Sequence, residues 1–444
     1  MKKTKLLLLF MSITYMLDAQ TPSNLWTPQG IGLLPKDHDI LAMSIVNKDV
    51  VWALADSTYT IPMPTAHVAK VLKTTNGGAT WQLYRVVETP GLVGLDIHAI
   101  DTSVAFITAQ KPNSLTGNAV FKTTDGGNTW VSKYEDYAAS SWVRFFDAKN
   151  GIIWNRHRYA LTTDGGNTWG AANLAGYLNT EGHAFAAGSN SCAVVGDSIW
   201  AGTTISRIVF SPDKGTTWQF QDLRPIAFFG DKVYIISIAF KDARNGLVLG
   251  WNSNSATTYL AKTTDGGKTW VQTPSYPFTF GSNIEFIKGT TGSFVITDNE
   301  GLTAYSTNLG QSWVKIDSLP TNAVRFLNVQ TGWAGRTAKT AGTPSFFKWN
   351  GGNILSSIKV LEAEEVGLKV SPNPSNRFIN IEYNADFNPT SLTIYDASGK
   401  RVFEQKGLSK STQTIDIQSL ANGVHLVQLR STEGYVSKKI VVQH

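Results

Sequence analysis

The sequence predicts an all-β chain: a seven-bladed β-propeller followed by a small immunoglobulin-like β-sandwich. Three observations lead there. An eight-residue box ending in Trp recurs six times, and a looser motif recurs between the boxes. Both stop by Gly332, and from Leu368 short alternating strands of a different kind take over. Composition agrees with a packed β-rich chain, with 42% hydrophobic residues, 16% charged residues and 14 tryptophans in 444 residues.

The first segment, residues 1–19, reads as a signal peptide. Lys2, Lys3 and Lys5 precede the apolar run Leu6 to Met11, and Ala19 offers a small residue for cleavage before Gln20. Thr14, Tyr15 and Asp18 keep the run too short to span a membrane. Cys192 is the only cysteine, which excludes a disulfide framework and a Cys-based metal centre. The formal net charge of +6 is spread thinly, with no Lys/Arg block, so no nucleic-acid partner is expected. Seven histidines fall at no ligand spacing; no metal and no cofactor is expected.

Residues 20–355 carry the repeat. The box Ser/Thr-x-Asp/Asn-x-Gly-x-Thr/Ser-Trp runs from Thr74 to Trp81, then Thr123 to Trp130, Thr162 to Trp169, Ser211 to Trp218, Thr263 to Trp270 and Ser306 to Trp313. Its acidic or amide positions are Asn76, Asp125, Asp164, Asp213, Asp265 and Asn308, with spacings of 49, 39, 49, 52 and 43 residues. Asp or Asn can accept backbone N–H groups of a tight turn and Gly supplies positive φ, so each box should join two strands. The Trp is expected to begin the next strand and pack back over its turn. The looser motif, as in Asp147 to Gly151 and Asp242 to Gly246, marks a second hairpin, giving four strands in about 47 residues. The seventh box is missing. Asn24-Leu25-Trp26-Thr27 looks like the strand that leaves each of the other boxes, so Trp26 is expected to supply the outermost strand of the last blade.

These boxes resemble the Asp-box (BNR) repeats of sialidases, sortilin-type receptors and related propellers. Their alternation with Asp-x-x-Asn-Gly is more similar to propellers of the photosystem II assembly-factor type. The resemblance covers about three quarters of the chain. It implies that the box residues are structural and lie on the face away from an active site. It also leaves open a role as an assembly factor for another complex.

Residues 356–367 read as a linker. From Leu368, strands are expected at 368–374, 378–383, 391–395, 401–404, 414–417, 424–429 and 436–442. Ser371-Pro372-Asn373-Pro374, Thr393 to Lys400 with Gly399, Leu420 to Val427 with Gly423, and Lys438-Lys439 resemble the type A C-terminal sorting domain of the type IX secretion system of Bacteroidetes. His425 stands where that family usually has Tyr. The resemblance implies that residues 368–444 engage the type IX machinery and that the protein is secreted or held at the outer-membrane cell surface. Attachment there would run through a surface polysaccharide anchor.

Catalytic candidates come from aligning the looser motif. Ser44, His98, Arg144, Ala184, Ala239, Glu285 and Arg325 fall at one position, expected at the start of each innermost strand. Arg144, Glu285 and Arg325 would then converge on the axis, one arginine short of a sialidase-like triad, and could equally satisfy one another. Loop carboxylates Glu88, Glu135, Asp136, Glu181 and Asp222 have no partner fixed by sequence. Binding candidates are aromatics on loops opposite the boxes, chiefly Trp142, Tyr177, Trp251 and Tyr276, with Tyr134, Tyr137, Phe228, Phe229 and Phe278 beside them. The reading is a propeller that binds a glycan or a protein partner, with a sialidase-like glycoside hydrolase as the alternative.

Overall fold

The computed structural model describes residues 25–34, 38–57, 68–86, 91–111, 118–136, 140–155, 158–176, 189–226, 230, 233–252, 254–255, 257–273, 283–298, 301–336, 344–350, 359–360, 363–364, 366–384, 387, 389–397, 400–408, 411–431 and 434–444. The leader, Ala184, Tyr177, Tyr276 and Gly399 lie outside them.

Seven four-stranded antiparallel sheets make the blades. Blade one shows the pattern: strands His38–Ile45, Val51–Ser57, Lys70–Thr74 and Gln82–Arg85, paired in order from the axis outwards. Blades two to six come next, at 93–136, 140–173, 192–222, 233–272 and 283–317. Blade seven takes three strands from 323–349 and its outermost strand, Trp26–Gln29, from the other end of the chain. Trp26 pairs with Trp349 in register, and the ring closes as the sequence predicts.

The first and third turns of blades one to six lie at the same end, and the box turn docks on the turn beside it. Gly77 N–H donates to Asp49 O at 2.9 Å, Gly165 N–H to Lys149 O at 2.9 Å, and Gly266 N–H to Arg244 O at 2.8 Å. Within the box, Asp265 Oδ1 accepts from Thr263 Oγ1 at 2.8 Å and from Thr269 N–H at 2.9 Å. Its Oδ2 accepts from Thr269 Oγ1 at 2.6 Å. Burial pushes the Asp265 carboxyl up, but the hydrogen bonds from Thr269 and Thr263 outweigh it and hold the group down at about 2. In the Asn copies the amide does the same work, with Asn76 Nδ2 donating to Thr80 Oγ1 at 2.8 Å. Asp265→Asn should therefore leave the melting temperature nearly unchanged, while Asp265→Ala lowers it by a few degrees. Calorimetry on the two variants checks this.

The box Trp packs over its own turn as expected, with Trp130 Nε1–H donating to Gly127 O at 3.1 Å, and its ring also reaches the preceding blade. Trp130 meets Trp52 at 6.4 Å and 86°, Trp169 meets Phe106 at 6.4 Å and 87°, and Trp218 lies 5.3 Å from Trp154. Trp81 of blade one meets Phe346 of blade seven at 4.4 Å. Lysines just before two of the boxes, and Lys348 at the equivalent place in blade seven, complete this latch. Lys73, Lys122 and Lys348 donate to the carbonyls of Gly126, Gly165 and Gly77 in the next blade, at 3.0, 2.8 and 2.7 Å. Each ammonium also lies over its own blade's ring: Trp52, Phe106 or Trp333.

The backbone must approach closely for this. Gly166 has φ +74°, and a Cβ there would lie 2.5 Å from Phe106 Cε1. Gly196 has φ +59° with nothing within 4 Å. Gly166→Ala should cost about 3 kcal/mol, strain plus overlap, against about 1 kcal/mol for Gly196→Ala. Urea denaturation midpoints read the difference.

The C-terminal segment forms a five-stranded and a three-stranded sheet, with strands at all seven expected places. Its core includes Leu368, Ile379, Ile381, Leu392, Ile394, Val427, Leu429 and Val436.

Candidate functional site

An innermost strand has one edge without a strand partner, so its N–H groups need acceptors from elsewhere. Side chains of the preceding blade supply them. Ser44 Oγ accepts from Ala99 N–H at 3.0 Å, His98 Nε2 from Phe145 N–H at 3.3 Å, and Ser237 Oγ from Ile284 N–H at 3.0 Å. Asp56 Oδ2 accepts from Gly94 N–H at 2.8 Å, and Asp96 Oδ2 from Val143 N–H at 3.1 Å. The polar residues nearest the axis are thus first of all a seam between blades.

On that seam lies a cavity of about 240 Å³, whose lining includes Ser44, His98, Arg144, Ala239, Glu285 and Arg325. Six of the seven aligned positions therefore meet in one place, and Ala184 lies outside the described residues. Blade four contributes Asn190, Cys192, Ala193 and Val194 instead, because its innermost strand is Cys192–Val195. A second correction concerns height. Ser44, His98, Arg144, Ala239 and Glu285 are the next-to-last residues of their strands, beside the first turns, and so on the same face as the boxes.

The charged groups pair within the cavity. The Arg144 guanidinium bonds the Asp96 carboxylate and donates to Val143 O at 2.6 Å; Asp96 is fully buried. Arg325 donates to Asn190 Oδ1 at 2.7 Å, to Val324 O at 2.9 Å and to Glu285 Oε2 at 3.5 Å. Burial pushes the Glu285 carboxyl up, opposed by Arg325. Burial lifts the Cys192 thiol to about 11, opposed by Arg144, so it stays protonated and unreactive. Burial, reinforced by Arg144, holds His98 down at about 3, which suits an Nε2 that accepts a hydrogen bond. Glu285 is the one carboxylate among the described lining residues; Asp96 stands behind Arg144. No group of three or more His, Cys, Asp or Glu among the described residues could hold a metal ion.

Sequence reasoning missed Asp96, Asn190 and Lys288 in this site. Asp96 lies two residues before His98 on the same strand, so period-two alternation from a recognised position could have found it.

The aromatic candidates separate. Trp142 is 1% exposed and stacks on Trp154 at 5.5 Å and 7°, inside the packing between blades three and four, so it is not a surface platform. It is part of the innermost strand Ser140–Phe145, in regular register opposite Trp154, and not of a loop. Tyr134 is half-buried near Trp169. Trp251 is half-buried at the end of the sheet opposite the boxes, 5.7 Å from Tyr234. Tyr137, Phe228, Phe229 and Phe278 lie outside the described residues, as do Glu88 and Glu181. Asp222 pairs with Arg224.

In the C-terminal segment the motif residues brace the last strand. Asn373 Nδ2 donates to Lys439 O at 3.1 Å and its Oδ1 accepts from Val441 N–H at 2.8 Å, between the exposed Pro372 and Pro374. Lys438 Nζ donates to Leu368 O at 3.2 Å, Lys439 is exposed, and Gly423 opens its strand at φ +131°.

No curated protein sequence is significantly similar to the chain. Residues 369–443 match the secretion system C-terminal sorting domain family. Solved propellers share the fold at low identity. YCF48 bound to D1 peptide is 14% identical with a TM-score of 0.50, over 74% of this chain and 99% of that one. An ancestral GH74 enzyme is 12% identical with a TM-score of 0.51, over 94% of this chain and 63% of that one. The GH74 xyloglucanase from Xanthomonas campestris is 10% identical with a TM-score of 0.46, over 94% and 88%. The chain is a β-propeller with a C-terminal sorting domain at residues 369–443, and that domain indicates export through the type IX secretion system.

Proposed function

We propose that the chain acts outside the cell, secreted or held at the surface through a polysaccharide anchor, as a non-catalytic propeller that binds a glycan or a protein partner. The observation that carries this reading is the pairing in the axial cavity. Arg144 is committed to Asp96, and Arg325 to Glu285 and Asn190. Two-carboxylate glycoside hydrolysis needs a second acid facing the substrate, and Glu285 has no such companion among the described lining residues. The test is an array of glycans and peptides probed with the mature chain. Reproducible retention without turnover supports the reading, and a blank array overturns it.

One observation favours the alternative, a sialidase-like glycoside hydrolase: Arg144, Glu285 and Arg325 line a single cavity. In that case Glu285→Gln abolishes release of sugar from the retained glycan and leaves retention intact.

A further inference from the structure

Most aromatics of this propeller repeat from blade to blade, as the box tryptophans and their partner rings do, and a repeated position answers a repeated packing need. Among the described residues, Tyr234 and Trp251 of blade five have no counterpart in blades one and two. They are directly opposed on the two innermost strands, Val233–Phe240 and Gly246–Asn252, one row beyond a bulge at Ile235/Ser237. Blades one and two carry the same bulge. The row beyond it holds Asp39 opposite Asp56 in blade one and Val93 opposite Gln110 in blade two. Blade five alone of these three puts two rings there.

The rings sit 5.7 Å apart at 34°, half-buried, at the end of the sheet opposite the boxes. Thr258 faces Trp251 across the next strand, extending the row to Tyr234, Trp251 and Thr258. The loop at this end adds Asn252, Asn254 and Ser255, folded on itself by Asn252 Oδ1 accepting from Asn254 N–H at 2.9 Å. Blade five's own described residues at this end carry no Asp, Glu, Lys or Arg; the described charges Arg207, Asp222 and Arg224 belong to neighbouring blade four, where Asp222 pairs with Arg224. Two part-exposed ring faces beside the amides and hydroxyl of Asn252, Asn254 and Ser255 suit a ligand that offers C–H faces for stacking and hydroxyls for hydrogen bonding.

We propose that Tyr234 and Trp251 form a stacking subsite for a neutral sugar, on the face away from the axial cavity. This rests on the ligand-binding reading and assigns it a place and a ligand class. The mature chain is run in native gels containing dextran, mannan, xyloglucan or starch, with polygalacturonate as the acidic comparison. At least one neutral polysaccharide should retard the chain. Trp251→Ala should weaken that retardation about tenfold, Trp251→Phe restore part of it, and Val314→Ser, on an outer strand, leave it unchanged. Thermal melts establish that each variant is folded. Equal retardation of wild type, Trp251→Ala and Tyr234→Ala would overturn the subsite and leave glycan binding standing. Retardation by polygalacturonate alone, or retention of peptides alone on the array, would overturn the neutral-sugar subsite and keep the ligand-binding reading. No binding in either assay overturns both.

Discussion

Replacing Trp26 by Ala opens the ring, with an expected loss of about 3–5 kcal/mol in urea denaturation. The indole is 9% exposed, 4.9 Å from the Trp349 ring and 6.1 Å from Phe326, so truncation leaves a cavity between two aromatics. It also removes a bond from the indole Nε1–H to Asp317 Oδ2 at 2.6 Å. Asp317 is 5% exposed, and burial already pushes its carboxyl up. Losing a donor there leaves a buried carboxylate under-satisfied. Trp26→Phe separates the two terms. It keeps much of the aromatic packing but not the hydrogen bond, and should cost about 1–3 kcal/mol. Adding Asp317→Asn to Trp26→Phe should recover part of that cost, because a neutral amide is cheaper to bury than a carboxylate. A Trp26→Ala variant as stable as wild type would mean that the outermost strand of blade seven contributes nothing to closure.

That closure was legible because its signal is local. The hydrogen bonds made by the box's own side chains fall within eight residues, so Thr263, Asp265, Gly267 and Thr269 announce the geometry in sequence alone. Asn24-Leu25-Trp26-Thr27 matched the strand that leaves such a turn, and a ring lacking one outer strand needs one. The partners across blades were not legible. Nothing near Trp130 says that its ring meets Trp52 of the blade before, or that Lys73 caps the carbonyl of Gly126. The axial site fell between these cases. The repeat alignment put Arg144, Glu285 and Arg325 at equivalent positions and all three line one cavity, but Arg144 takes its partner from Asp96, on a different blade. In blade four the motif is degenerate, and the alignment chose Ala184 where the fold uses Cys192. Trp142 misled for a related reason. It stands on the innermost strand opposite Trp154 and not on a loop, and where that strand begins is not marked by any local residue pattern.

The seam at the axis makes stability depend on pH through His98. Its Nε2 accepts from Phe145 N–H, the ring stacks near Phe145 at 5.9 Å, and the Arg144 guanidinium lies close by. Protonation would put a donor against a donor, beside a positive charge. The folded value of about 3 stands below the 6.5 of an unhindered histidine, so the unfolded chain takes up a proton over a range where the folded chain does not. Stability conferred by neutral His98 is therefore fully present above about pH 6.5 and declines as pH falls towards 3. Between pH 7 and pH 5 the loss should be about 2 kcal/mol. The box carboxylates act later: Asp125 and Asp265 are held at about 2, so their contribution is present above about pH 4 and fades only below it. His98→Gln isolates the first effect. A glutamine carbonyl can accept the Phe145 N–H without titrating, so the variant should lose about 2 kcal/mol less than wild type between pH 7 and pH 5. Identical losses in both proteins would mean that His98 takes up its proton in the folded ring, and that the hydrogen bond from Phe145 does not control it.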